Sequence, residues 1–129
     1  MKRLALALMA AAACCAQAQT IGLHVGSIHE SPGFNGFNPG AYVRLDNGFT
    51  AGSYFNSIRK QSVYAGYTMN VWGPLDVSFV GVTGYQDYPI ATAIPSVSVP
   101  LWKSVSARLA YVYSPGVSSA VHLSLEYTR

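Results

Sequence analysis

The chain has 129 residues, of which 50% are hydrophobic and only 10% are charged. This length suits a single domain, and ordinary soluble domains carry about a quarter charged residues. No internal segment approaches the roughly 20 consecutive apolar residues that a transmembrane helix needs. The composition therefore excludes a protein with internal transmembrane helices and indicates that the apolar residues are dispersed along the chain.

The N-terminus has the organisation of a secretory signal peptide. Lys2 and Arg3 form a positively charged region, and residues 4–13 are apolar. Residues 16–18 read Ala-Gln-Ala, which is a good signal-peptidase cleavage site. We therefore predict that residues 1–18 are removed on secretion.

The mature domain, predicted as residues 19–129, is nearly neutral and contains no cysteine. The full chain has eight Lys and Arg residues and five Asp and Glu residues. Removal of Lys2 and Arg3 leaves six cations and a net charge of +1. This balance gives no reason to expect a nucleic-acid partner. Both cysteines, Cys14 and Cys15, precede the cleavage site, so no disulfide is expected. Cleavage just before one of them would instead produce a lipoprotein, which is the alternative.

Apolar and polar side chains alternate along eight short segments of this domain. A period of two is typical of a β-strand with two different faces, and the 3.6-residue spacing of an amphipathic helix is absent. We predict short strands of about 7–10 residues, below or near the 9–11 that cross a bilayer comfortably. In chain order, the alternating segments are 21–26, 41–46, 49–56, 62–70, 75–79, 96–99, 104–111 and 121–128.

Turn sequences separate most of these segments. Residues 46–48 read Asp-Asn-Gly, which suits a tight hairpin because Asn and Gly accept positive φ angles. Gly and Pro at 72–74 and 114–116 mark two further turns, and the Gly- and Pro-rich residues 31–40 predict a long loop.

An even number of short antiparallel strands, a signal peptide and few charges predict an all-β fold of one kind. It is an eight-stranded antiparallel up-and-down transmembrane β-barrel of the outer-membrane type, with apolar side chains facing lipid and polar side chains facing the lumen. We expect it in the outer membrane of a Gram-negative bacterium, as a monomer. The alternative is a soluble periplasmic barrel or sandwich whose apolar row is turned inward.

The predicted lumen row contains most of the ionisable residues. We expect their charges to pair inside the barrel, because buried charges are normally paired. The row comprises His24, Arg44, Asp46, Asn56, Asp76, Arg108, His122 and Glu126.

His24 and Ser57 are the candidates for chemistry. A serine hydroxyl becomes a nucleophile when a histidine within hydrogen-bonding distance accepts its proton, and a third group then orients the histidine. His24, His29 and His122 lack metal-ligand spacing, and we predict neither a metal nor a cofactor.

Several blocks of the chain, in the same order and spacing, resemble the lipid A palmitoyltransferase (PagP) family of outer-membrane acyltransferases. "GFTAGSYFNSIRKQSVYAGY" is similar to the segment in which that family has a Gly-x-Tyr, an Asp-Ser pair and an Ala-Gly-Tyr-Gly strand. "VSFVGVTGYQDYPIATAIPSVSVPL" resembles its proline-punctuated strand, and "LAYVYSPGVSSAVHLSLEYTR" resembles its last hairpin. "IGLHVGSIH" is similar to its first strand, where a His stands three residues after an Ile. The likeness covers roughly 105 residues.

The resemblance implies three catalytic residues. The family's histidine falls on His24 and its serine on Ser57, with His29 a competing candidate for the histidine. Asn56 stands where the family has Asp, and it is carried over as the third site residue. The amphipathic helix that precedes the barrel in the family has no counterpart, because almost nothing separates Ala18 from the first strand.

The resemblance also implies an activity. An acyl chain would pass from a phospholipid donor to a hydroxyl of lipid A, with His24 as general base and Ser57 as nucleophile or hydrogen-bond partner. Pro89, Pro95 and Pro100 would open the barrel wall to lipid, because Pro lacks the N–H that a strand ladder needs. Arg59 and Lys60, directly after Ser57, could meet the lipid A phosphates. The alternatives are a non-catalytic barrel that binds lipid or has a structural role, and a deacylase or phospholipase.

Overall fold

The computed structural model describes residues 19–113 and 118–129. The predicted signal peptide and the predicted turn at 114–116 lie outside the described residues.

Across the described residues, eight strands form one closed antiparallel barrel in which each strand pairs with its neighbours in chain order. The strands are β1 (Thr20–His29), β2 (Phe37–Arg44), β3 (Phe49–Phe55), β4 (Gln61–Trp72), β5 (Leu75–Val82), β6 (Ile90–Trp102), β7 (Val105–Val112) and β8 (Ala120–Thr128). β8 pairs with β1 and closes the barrel. The predicted all-β, eight-stranded antiparallel barrel is confirmed. No helix within the described residues is long and apolar enough to cross a membrane.

Two strands exceed the predicted length of about 7–10 residues. β4 has 12 residues and β6 has 13, because β6 begins at Ile90 and continues through Pro95 and Pro100. A proline is tolerated in a strand where no ladder bond needs its nitrogen. The β6–β7 ladder begins only at Ser96, and among the described residues Ile90–Pro95 pairs with β5 alone. The prolines therefore do not end the strand, and Pro95 adjoins the place where one of its two ladders stops.

The two rows of side chains on each strand face opposite environments. The apolar row faces outward: the exposed fractions of Leu23, Val63 and Leu101 are 56%, 57% and 56%. The polar row faces inward, where Thr50 and Ser62 are buried. The outer surface is therefore largely apolar, and most of the buried side chains are polar.

A network of ion pairs fills one end of the barrel interior. Arg108 lies 2.7 Å from Glu126 and 2.8 Å from Asp76, and Arg44 lies 3.2 Å from Glu126. The Tyr42 hydroxyl also donates a hydrogen bond to Glu126. Two cations therefore meet two carboxylates, and the predicted pairing of these four lumen charges is confirmed.

The turn between β2 and β3 corrects one position of the predicted lumen row. β2 ends at Arg44, so Asp46 lies exposed in the turn and not in the interior. Gly48 has a φ of 91°, and its N–H donates to the carbonyl of Leu45. The predicted tight turn is present, but it removes Asp46 from the alternation.

Substitution of Glu126 tests the role of the ion network. Glu126→Ala leaves Arg44 and Arg108 in the interior with one carboxylate between them, and breaking such a buried pair costs about 3–5 kcal/mol of the free energy of unfolding. Urea unfolding of the refolded protein, followed by tryptophan fluorescence, measures this loss. The matched control is Glu30→Ala, because the Glu30 side chain is exposed and makes no ion pair with a described residue. Equal stability of the two variants would contradict the assigned role.

Candidate active site

Ser57 lies in the turn between β3 and β4, at the end of the barrel opposite the chain termini, and its hydroxyl contacts a histidine. The Ser57 Oγ is 2.9 Å from the Nε2 of His29, the last residue of β1. The His29 ring stacks on Phe34, with ring centroids 5.4 Å apart and an interplanar angle of 24°. The backbone N–H of Asn35 donates to the carbonyl of Ser57 at 2.8 Å. The loop after β1 and the β3–β4 turn therefore hold the two side chains together.

An irregularity in β1 brings His29 into the interior. His24 and His29 are five residues apart, and an odd spacing puts two residues on opposite faces of a regular strand. The register with β8 shifts between His24 and Gly26, and this bulge reverses the alternation that follows it. Ile28 consequently points outward with 81% exposure. Both histidines face the barrel interior for this reason.

Asn56 is committed to building the turn. Its Oδ1 accepts hydrogen bonds from the backbone N–H groups of Ile58 and Lys60, at 3.0 and 2.9 Å. Its Nδ2 donates to the Ser62 hydroxyl at 2.9 Å and to the Gly84 carbonyl at 3.2 Å. The side chain is fully buried and contacts neither histidine through a hydrogen bond. Asn56 thus positions Ser57 through the backbone and leaves His29 to be oriented by other groups.

His24 lies deeper in the barrel and has different partners. Its Nδ1 is 2.8 Å from His122 Nε2, and its Nε2 is 2.7 Å from the Tyr64 hydroxyl. The rings of Tyr42 and Tyr54 also pack against it, with centroids 4.9 and 5.3 Å away. Both ring nitrogens of His24 are therefore engaged. The structure brings His29, and not His24, into contact with Ser57.

An interior cavity connects these groups. Its volume is about 590 Å³, and Ser57, His24 and His122 all line it. It reaches the ion network, where Arg44 and Arg108 form part of its lining. The candidate serine therefore opens onto a space large enough for part of a ligand, in a barrel interior of the size that holds one small molecule.

The resemblance favours His24 over His29, because His29 lies beyond the Ile-x-x-His match. The bulge that turns His29 inward is invisible to a simple alternation. Gly26 was the available signal, since a glycine inside a strand often marks a bulge. A Cβ on Gly26 would come within 2.5 Å of the Gly36 carbonyl oxygen, so this position admits only glycine. The catalytic roles assigned to His24, Asn56 and Ser57 from the resemblance remain predictions.

Comparisons with known proteins give no family for this chain: no family model matches it, and no curated protein matches it significantly. Within residues 19–113 and 118–129, no group of three or more His, Cys, Asp or Glu side chains could hold a metal ion. The structure thus defines the class of protein as a closed eight-stranded barrel whose interior carries most of the polar side chains.

Substitution of Asn56 by the family's Asp tests its role in the turn. Asn56→Asp keeps the oxygen that accepts from Ile58 and Lys60 but replaces the amide that donates to the Gly84 carbonyl. An unpaired buried polar group costs about 1–3 kcal/mol, and urea unfolding measures the loss. The control is Asn47→Asp, because only the Asn47 oxygen is used, as acceptor from the Phe49 N–H. A more stable Asn56→Asp protein would contradict this account.

Proposed function

We propose that this chain is an outer-membrane β-barrel acyltransferase that moves an acyl chain from a phospholipid to lipid A, with Ser57 and His29 as its reacting pair. The observation that carries the proposal is the 2.9 Å contact between Ser57 Oγ and His29 Nε2 where the interior cavity begins. A serine hydroxyl beside an imidazole nitrogen is the arrangement that nucleophilic acyl transfer requires.

The outward row of side chains supports the membrane location. Large apolar residues are exposed on seven of the eight strands, all except β3, and apolar surface of this extent is rare on soluble monomers. Trp72 and Trp102 lie at the ends of β4 and β6 with exposures of 78% and 68%, as in the aromatic girdles of outer-membrane barrels. Lys103 places its Nζ 4.8 Å from the centre of the Trp102 ring. Lysine and tryptophan together are typical of a membrane interface.

The two half-reactions need only the proton-accepting nitrogen of His29. Its Nε2 takes the Ser57 proton as Oγ attacks the donor ester carbonyl, and the proton then passes to the leaving lysophospholipid hydroxyl. In the second half, His29 removes the proton of the acceptor hydroxyl, which attacks the acyl-serine carbonyl; the acyl–Oγ bond breaks and His29 returns the proton to Ser57 Oγ. The backbone N–H of Ser57 makes no hydrogen bond to a described residue, so it is available to the developing oxyanion.

Lipid could reach the cavity through the barrel wall between β6 and β7. Between Ile90 and Pro95, β6 has no ladder pairs with β7, although β7 stays paired with β8 up to Val112. Ile94 and Val112, on the two sides of this interval, both line the cavity. Pro95 lies where the ladder stops, and its missing N–H prevents one backbone hydrogen bond there. This interval is the proposed lateral entrance for an acyl chain.

Two cations support an anionic lipid as acceptor. Arg59 and Lys60 are exposed in the same turn as Ser57, and neither forms an ion pair with a described residue. Arg59 has a φ of 61°, which directs the turn sharply at this point. Guanidinium and ammonium groups form short, strong hydrogen bonds to phosphate oxygens. Lipid A as the acceptor follows the resemblance, and these cations suit its phosphates.

A barrel that binds lipid without reacting is the second candidate. Asn56 does not reach His29, and no described residue hydrogen-bonds to His29 Nδ1. The imidazole therefore lacks the third group that orients the base in a triad. Stacking on Phe34 is what holds the ring. This observation favours a slow enzyme or a lipid-binding barrel over a fast one.

An outward charge tests the membrane location. Leu109→Arg, at an outward position of β7 with 45% exposure, is expected to cost about 2–4 kcal/mol if this face meets the bilayer midplane. In water the same change would be nearly neutral. Unfolding measured in phospholipid vesicles gives the cost. Ser104→Arg, in the exposed β6–β7 turn, is the control. A neutral Leu109→Arg in vesicles would contradict the membrane assignment.

Substitutions at the reacting pair test the activity. We expect the purified barrel to transfer a labelled acyl chain from phospholipid to lipid A, and Ser57→Ala and His29→Gln to slow transfer by about 10²-fold or more, the usual contribution of a general base. Ser104→Ala, an exposed serine in the β6–β7 turn, should leave the rate unchanged. Mass spectrometry of lipid A and thin-layer separation of the labelled lipids measure the products.

The other outcomes of this experiment discriminate between the remaining functions. Labelled free fatty acid without acylated lipid A would identify a deacylase or phospholipase. No product from a folded barrel would leave the lipid-binding function. A larger loss in His24→Gln than in His29→Gln would contradict the assignment of His29 and restore the one implied by the resemblance.

A further inference from the structure

One ring nitrogen of His122 faces the cavity without a partner. His122 Nε2 contacts His24 Nδ1, whereas among the described residues nothing hydrogen-bonds to His122 Nδ1. No buried side-chain nitrogen or oxygen of the described residues lacks a partner, so this nitrogen must be accessible. The residue lines the cavity, and the cavity is therefore the space that it faces.

The partners of His122 allow this nitrogen to be either a donor or an acceptor. If Tyr64 donates to His24 Nε2, then His24 Nδ1 donates to His122 Nε2, and His122 Nδ1 carries a hydrogen. If the direction is reversed, His24 donates to the Tyr64 oxygen and His122 Nδ1 is an acceptor. Both directions satisfy the two contacts at 2.8 and 2.7 Å with all groups neutral. The cavity wall can thus match a neutral hydroxyl, which both donates and accepts.

The opposite wall of the cavity is mostly apolar. Inward-facing side chains of β5, β6 and β7 form it; the Thr92 hydroxyl interrupts its apolar part, and Ser78, Ser96 and Arg108 line it near the ion network. The apolar lining residues are Val80, Val82, Ile90, Ile94 and Val112. A ligand that fills the cavity therefore meets hydrocarbon along one side and the free His122 nitrogen on the other.

We propose that the cavity selects an acyl chain that carries a hydroxyl group near its carboxyl end, with the hydroxyl bound by His122 Nδ1 and the hydrocarbon against the apolar wall. A wholly apolar chain would leave the His122 nitrogen without a partner in a cavity emptied of water, and an unpaired buried polar group is costly. A hydroxyl satisfies this nitrogen in either of its two states. This inference rests on the proposed function, since it names the class of acyl chain for that site.

The register of the strands sets the position of this hydroxyl. Ser27 pairs with His122 across β1 and β8, and His29 pairs with Ala120. His29 and His122 are therefore diagonal neighbours on one inner face, a relation that separates Cα atoms by about 7–8 Å. Because Ser57 contacts His29, an acyl carbonyl held at Ser57 would be separated from His122 by only a few bonds of the acyl chain. The hydroxyl therefore belongs on one of the carbons close to the carbonyl.

Competition binding tests the inference without requiring any transfer. The Ser57→Ala barrel, which cannot form an acyl-serine, is refolded in detergent, and a fluorescent fatty acid is displaced from it. The competitors are hexadecanoate and the positional isomers of hydroxyhexadecanoate that carry the hydroxyl near the carboxyl end. We expect the best hydroxylated isomer to bind about tenfold more tightly than hexadecanoate, the fold-change for one well-placed hydrogen bond. His122→Phe in the same background should abolish this preference, and it should strengthen hexadecanoate binding, because the plain chain then leaves no ring nitrogen of residue 122 unpaired.

The outcomes of this experiment separate the inferred ligand class from the proposed enzyme activity. Equal binding of the hydroxylated and plain chains overturns the inference, as does a preference that persists in His122→Phe. If His122→Phe does not fold, the comparison of the two ligand classes on the Ser57→Ala barrel still decides. A clear preference together with no acyl transfer by the wild-type barrel would refute the proposed enzyme but keep the ligand class. Acyl transfer without the preference would do the reverse.

Discussion

Closure of the barrel is the constraint on which the rest of the structure depends. Once β8 pairs with β1, no edge strand remains, and every second residue must point into a narrow interior. Ionisable groups there must find partners, because an unpaired charge in such a space is costly. Arg108 consequently contacts both Glu126 and Asp76, and Arg44 completes a neutral set with them. This network occupies the end of the interior near the chain termini, and the cavity extends from it toward the opposite end.

A single bulge in that regular frame creates the candidate site. Without the shift between His24 and Gly26, His29 would point outward like Ile28 does, and Ser57 would have no histidine partner. Bulges often re-aim side chains near active sites. The same shift separates the two histidines in role. His24 belongs to a hydrogen-bonded set in mid-barrel, whereas His29 contacts Ser57, which lines the cavity at the end opposite the chain termini.

Asn56 and Ser57 are adjacent in sequence but do different things. The Asn56 amide uses both its donor and its acceptor to build the turn that presents the Ser57 hydroxyl. A carboxylate would lose the donation to Gly84, so the amide is the group that this turn requires. The residue order resembles that of an acyltransferase site. In the structure, a serine–histidine pair lies at the end of a cavity that has one polar and one mostly apolar wall. The cavity therefore supports the proposed lipid ligand, and the serine–histidine pair supports the proposed acyl transfer.

The sequence alone determined the strand number, the closed antiparallel order and which row of each strand is apolar. These follow from local alternation and turn residues such as those at 46–48, which need no distant partner. It also indicated Ser57 as the candidate hydroxyl. Only the tertiary structure decided that β6 continues through Pro95 and that His29 contacts Ser57. Both depend on how neighbouring strands pair, because a ladder that stops at Ser96 tolerates the proline and a shifted register with β8 turns His29 inward. Pairing across the barrel is a long-range property that a period-two pattern in one segment does not contain.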